Sequence, residues 1–234
     1  MGVNWTDAPQ WFRSSFARAA RGAGATATDD ELAEAAEALV EKWSGEDRHF
    51  HNLKHLAMTL HRVDELSQET HSPDLVRLAA WYHGAVFASD SKVTYELQGG
   101  EQTPASAELA RKDLTALGVP AAHADRVAAL VDSLLRHVPP ADDSDAQVLS
   151  DADLSMLATE PQHYRKYVEA VRAEYAHIPQ RDFLRARIRI LQRLLQRGKI
   201  YSSPMGAAWE NPARQNVEAE LARLTKEQAA LPEE

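Results

Sequence analysis

A helical hydrophobic repeat runs through most of this 234-residue chain, and no segment keeps the strict apolar–polar alternation of a half-buried strand. Two helix starts are clear: Thr28-Asp-Asp-Glu31 has the form of a capping box, and Ser72-Pro73 places a proline in a first helical turn. The helical pattern then continues from Leu75 to Phe87 and, later, from Arg126 to His137. The sequence therefore predicts an all-α fold, and its length favours a single domain over residues 1–234.

Composition excludes several classes of function. The chain has 26 Lys and Arg against 35 Asp and Glu, a formal charge of −9, which disfavours a general nucleic-acid-binding protein. It has no cysteine, so disulfides, thiolate metal sites and a cysteine nucleophile are excluded, and His, Asp and Glu are the candidate metal ligands. Mean hydropathy is −0.46, and no apolar stretch reaches the roughly 18 residues of a membrane span. We expect a cytoplasmic protein without an export signal or a membrane partner.

Histidines cluster where a helix is predicted to begin. His49, His51 and His55 lie within seven positions, and Asn52 is a suitable cap for the helix that follows. A four-residue separation places two imidazoles on one helix face, a spacing that can serve a metal ion. Taken alone, the cluster is explained more simply as solvated histidines at a polar helix start.

Two further features interrupt apolar segments. His83 ends the apolar run that begins at Ala79, and a buried imidazole needs hydrogen-bond partners or a metal ion. Asp151 and Asp153 lie in the apolar surroundings of residues 148–157, where they either cap a helix or act as ligands. The longest irregular segment, residues 89–100, follows His83 and has the length of a binding loop or lid.

Together these features resemble the HD superfamily of metal-dependent phosphohydrolases, whose signature is a His, a His-Asp pair and a distant Asp on separate helices. The resemblance is closest to a branch with a Tyr-His-Asn-x-x-His segment, which Phe50-His51-Asn52-Leu53-Lys54-His55 matches. Further matching segments are Leu149–Leu154, Val171–Tyr175, Ala186–Arg187, Lys199–Tyr201 and Glu210–Asn216. The resemblance covers roughly Trp43 to Leu224 and implies an HD-domain-like helical bundle. We expect N-terminal helices in residues 1–45 and a C-terminal helix over residues 206–228 to pack on its core.

The resemblance also implies a metal centre. His55, His83 and Asp151 match the family's metal ligands, and the cofactor would be a divalent ion such as Mn, Fe, Mg or Zn. Such an ion lowers the pKa of water towards neutrality. The substrate would be a small phosphate ester, for example a nucleotide, and the chain would be a monomer or a homodimer.

Other positions match groups that handle the substrate. Glu101 or Asp153 would transfer the proton, although Glu101 lies in a segment with two residues more than the family pattern. His51, together with Arg172 or Arg187, would bind the substrate.

One position departs from the family pattern. Gly84 stands where the superfamily has the aspartate of its His-Asp pair, and glycine supplies no ligand, so one ion is expected rather than two. Three functions remain open: a phosphohydrolase with one ion, a catalytically degenerate ligand-binding or regulatory protein, and an iron-dependent oxygenase that uses a 2-His-1-carboxylate set. Gly84→Asp is expected to tighten Mn²⁺ binding, unless the position is packed and dry, where a buried carboxylate would destabilise the fold.

Overall fold

The computed structural model describes residues 10–88 and 101–232, and within these ranges it contains helices and no strand. The prediction of an all-α fold is confirmed. The irregular segment at residues 89–100 lies outside the described residues. The ten α-helices of the described ranges are α1 (Gln10–Gly22), α2 (Asp29–Trp43), α3 (Leu53–Glu65), α4 (Pro73–Tyr82), α5 (Thr103–Ala116), α6 (Ala121–Ser133), α7 (Ser144–Asp153), α8 (Pro161–Glu174), α9 (Gln180–Leu195) and α10 (Glu210–Ala229). Short 3₁₀ helices cover Ser67–Glu69, Leu154–Ala158 and Met205–Trp209.

Helix starts follow the sequence signals, whereas helix ends come earlier than predicted. The backbone N–H of Thr28 donates to the Glu31 carboxylate at 2.7 Å while the Thr28 hydroxyl accepts from the Glu31 N–H, which completes the capping box. Pro73 begins α4 as predicted. However, α4 ends at Tyr82 rather than Phe87, because the chain turns at Gly84 and the Ala85 N–H bonds back to the Tyr82 carbonyl. Likewise, α6 ends four residues before His137.

Helix α4 lies at the centre of the larger apolar core, which includes buried residues from Phe12 to Ala152. It contacts α1, α3, α6 and α7. Trp81 is fully buried and meets the rings of Phe12 and Phe16 edge-on, with centroid separations of 5.3 and 5.5 Å. The core therefore fixes the C-terminal end of α4, where His83 follows.

A second apolar cluster lies between α9 and α10 and includes Leu184, Leu191, Val217 and Leu224. The C-terminal helix begins at Glu210, after a 3₁₀ turn that starts at Met205, so its start is later than the predicted residue 206. None of the described helices combines the length and the apolar character needed to cross a bilayer.

Candidate metal centre

Three side chains from three helix ends converge on one point. His55 lies in the first turn of α3, His83 follows α4, and Asp153 is the last residue of α7. The Nε2 atom of His55 lies 3.1 Å from Nε2 of His83 and 3.0 Å from Oδ1 of Asp153, and Nε2 of His83 lies 3.5 Å from the same oxygen. The three side chains are 8% exposed or less. They form a group able to hold a metal ion.

Local hydrogen bonds set the position of each histidine. The Asn52 side chain accepts from the backbone N–H groups of Lys54 and His55 and starts α3, as the sequence predicts. Nδ1 of His83 lies 2.6 Å from the carbonyl oxygen of Ala80. Because a carbonyl oxygen only accepts, Nδ1 carries the proton in a neutral ring, and Nε2 presents its lone pair to the centre.

Trp43 supports the His83 ring and fills the space beside Gly84. Its ring centroid lies 5.0 Å from that of His83, and its Nε1 donates to the carbonyl oxygen of Trp81 at 3.0 Å. A Cβ atom at position 84 would lie 2.6 Å from Cη2 of Trp43. The space that a side chain at position 84 would need is therefore occupied by a buried, hydrogen-bonded ring.

The carboxylate at this point is Asp153 and not Asp151, which corrects the expected ligand set. Both oxygens of Asp151 accept from the backbone N–H of Ser202, at 2.9 and 3.0 Å, and Oδ2 also accepts from the Ser203 N–H at 2.7 Å. Because Asp151 and Asp153 are two positions apart on α7, their side chains point about 200° apart around the helix axis. The capping alternative is also wrong, because α7 begins at Ser144 with the side chain of Asp143 as its cap.

His137 was not predicted from the sequence, yet it holds Asp153 in place. Its Nε2 lies 2.6 Å from Oδ2 of Asp153, while Oδ1 faces the two histidines. His137 has a left-handed backbone, with φ of 47°, and Arg197 donates to its carbonyl oxygen and to that of Arg136, both at 2.7 Å. A non-glycine residue in this region is uncommon, and such residues cluster at functional sites.

His51 is held at the edge of the centre by Glu174. Nδ1 of His51 lies 2.8 Å from Oε2 of Glu174, and Oε1 accepts from the backbone N–H groups of Phe50 and His51. Burial alone would lower the pKa of His51, but the charges of Glu174 and Glu101 outweigh it and raise the pKa to about 9. The imidazolium therefore presents positive charge beside the three converging side chains.

Glu101 also reaches the centre. Its Oε1 lies 3.9 Å from Nε2 of His83, and its Oε2 lies 3.9 Å from Nε2 of His51. Oε1 is buried and has no hydrogen-bond partner among the described residues. A buried, unpaired carboxylate oxygen is a candidate proton acceptor or a contact for a ligand.

The two arginines predicted to bind substrate are engaged elsewhere. Arg172 donates to the carbonyl oxygens of Tyr175 and Ile178 and thereby closes the C-terminal end of α8. Arg187 pairs with Glu220 through Nε at 2.9 Å and Nη2 at 3.0 Å, and it also donates to the Tyr167 hydroxyl. Arg187 still lines the pocket beside the centre, whereas Arg172 lies in a separate groove.

The donor set fits a divalent ion. Ligand atoms that bind an ion at about 2.0–2.2 Å lie about 2.8–3.6 Å from one another in octahedral or tetrahedral geometry, which brackets the three separations observed. Burial lowers the pKa of His55, which favours the neutral, ligating form. Burial alone would raise the pKa of Asp153, but hydrogen bonds from His137, His55 and His83 hold it well below its usual range. Burial alone would lower the pKa of His83, but the hydrogen bond and charge of Asp153 outweigh it and raise the pKa, so a metal ion would compete with a proton for Nε2 of this ring. Two imidazoles and one carboxylate suit a borderline ion.

A pocket of about 730 Å³ adjoins this centre. His51, Glu101 and His137 line its inner end, and apolar side chains from α8 and α9 and the chain after α6 form its walls. Its volume lies within the usual range for small-molecule sites. No family model, no curated protein and no solved structure matches this chain.

Proposed function

We propose that this chain is a metal-dependent phosphohydrolase of the HD type that acts on a small phosphate ester with a single divalent ion. One observation carries the proposal: His55, His83 and Asp153 bring three ligand atoms within 3.5 Å of one another in a buried site. The motif resemblance at residues 50–55 and 149–154 adds support for phosphate-ester chemistry.

The residues around this centre fit hydrolysis. His55, His83 and Asp153 would hold a divalent ion, which would supply Lewis-acid chemistry by polarising a phosphoryl oxygen and lowering the pKa of water. The His51 imidazolium binds and orients an anionic phosphate oxygen. Glu101 accepts a proton from the attacking water as the water oxygen bonds to phosphorus. It then returns the proton to the leaving alcohol as the bond between phosphorus and the alcohol oxygen breaks. His137 keeps Asp153 oriented towards the two histidines.

A single ion is proposed because position 84 offers no carboxylate and no room for one. Gly84 lies against the Trp43 ring, so a second ion would lack the bridging ligand of dinuclear family members. The same observation favours the alternative function, a catalytically degenerate protein that keeps the pocket to bind a ligand. The two functions differ in whether phosphate esters turn over.

The test is metal analysis of protein purified without chelator, followed by a panel of phosphate esters. Bound metal together with turnover that a chelator abolishes supports the phosphohydrolase. Bound ligand without turnover favours the binding protein. Oxygen consumption with ferrous iron would overturn both in favour of an oxygenase, for which a 2-His-1-carboxylate set is also suited.

A further inference from the structure

We propose that the pocket beside the metal centre selects phosphate esters of apolar alcohols, with the phosphate at His51 and the apolar group along the pocket walls. This inference rests on the proposed function and names its substrate class. The pocket holds about 730 Å³, far more than a phosphate group needs. The remaining space must therefore accommodate the rest of the substrate, and its walls indicate what that is.

Those walls are apolar and partly exposed. Leu135 is 39% exposed and Val138 is 66% exposed, and both line this pocket. They are two of the four large apolar side chains that are exposed among the described residues. Ile190 and Leu191 of α9 also line the pocket. Exposed apolar side chains that gather around one concavity are typical of a binding site for an apolar group.

The charge of the pocket matches a phosphate ester. The chain as a whole carries a charge of −9, which repels phosphate anions. Arg136 and Arg193 nevertheless line this pocket with exposed side chains, and neither forms an ion pair with any described residue. Positive charge from these exposed arginines draws the anion in, and His51 lines the end of the pocket beside the metal centre.

The probe is a series of n-alkyl phosphonates from methyl to octyl, which keep the anionic group but have no P–O–C bond to hydrolyse. Binding is measured by calorimetry on the full chain in the presence of Mn²⁺. Each methylene covered by the walls should raise affinity about threefold to fourfold. An affinity that does not change from methyl to octyl overturns the inference.

Two variants locate the alkyl chain. Leu135→Asn and Val138→Asn remove apolar wall area without adding charge, so each should reduce the affinity for octyl phosphonate about tenfold and the affinity for methyl phosphonate much less. Met205→Asn is the matched control, because the exposure of Met205, 48%, lies between those of Leu135 and Val138, and Met205 lies outside the pocket lining. A chain-length effect that persists in both pocket variants would place the alkyl group elsewhere and overturn the inference.

Failure of the proposed phosphohydrolase function can be distinguished from failure of this substrate specificity. Protein that binds longer phosphonates more tightly but never hydrolyses the corresponding alkyl phosphates retains this specificity and is not a phosphohydrolase. Protein that hydrolyses short esters but binds all phosphonates equally is a phosphohydrolase without this specificity.

Discussion

The Nε2 atom of His137 lies 2.6 Å from Oδ2 of Asp153, on the side of the carboxylate that faces away from His55 and His83. The imidazole thus fixes which oxygen is presented to the metal centre. Its own position depends on a left-handed backbone that Arg197 braces through two carbonyl oxygens.

His137→Asn should weaken metal binding about 10- to 100-fold, the usual effect of losing a hydrogen bond to a ligand side chain. Asparagine tolerates the left-handed backbone, so the fold should be preserved. Titration of Mn²⁺ into the metal-free protein measures the effect. His61→Asn is the control, since His61 is exposed on α3. Equal affinities in the parent and both variants would show that His137 does not orient Asp153.

Gly84→Asp should destabilise the fold by about 1–3 kcal/mol or more, since this is the usual cost of overpacking a core. A side chain at position 84 would meet the rigid ring of Trp43, and the added carboxylate would be buried. Gly198→Asp is a matched control, because no atom lies within 4 Å of a Cβ built at Gly198. The measurement is thermal unfolding with and without Mn²⁺. Strong stabilisation of Gly84→Asp by Mn²⁺, absent in the parent, would show that the ring moves aside and an aspartate ligand is restored.

Glu220→Gln should remove part of the acid sensitivity of the fold. Burial alone would raise the pKa of Glu220, but the charge of Arg187 and its hydrogen bonds outweigh it and lower the pKa. The ion pair therefore stabilises the fold above the ordinary glutamate pKa of 4.5, and this contribution is lost as the pH falls through the lowered value.

At neutral pH, Glu220→Gln should be about 3–5 kcal/mol less stable than the parent, because the buried Arg187 loses the compensating charge of Glu220. Denaturant unfolding at pH 7 and at successively lower pH values measures both effects. Glu218→Gln is the exposed control on the same helix. A stability difference between variant and parent that does not shrink in acid would contradict this account.

The sequence predicted the all-α fold and the helix starts well, because these depend on local signals. The Thr28 capping box, Pro73 and the Asn52 cap each start a helix through bonds within a few residues. His55 follows the Asn52 cap and His83 ends an apolar run, but the motif resemblance, and not these local signals, assigned both of them as metal ligands.

The carboxylate ligand and its support could not be predicted in the same way. Asp151 and Asp153 occupy similar apolar surroundings in the sequence, and only the contact of Asp151 with the backbone at Ser202 separates their roles. The position of His137 depends on its own left-handed backbone and on a hydrogen bond from Arg197, which lies 60 positions away in the sequence. These are long-range contacts that hydrophobic periodicity does not encode.

The most direct test of the metal centre compares Asp153→Asn with Asp151→Asn by metal analysis of folded protein. The account predicts that the parent binds one divalent ion per chain and that Asp153→Asn loses most of it. Asp151→Asn should keep the ion while lowering thermal stability, because Asp151 accepts hydrogen bonds from Ser202 and Ser203 and does not face the histidines. Loss of the ion in folded Asp151→Asn, with full metal content in Asp153→Asn, would contradict the account.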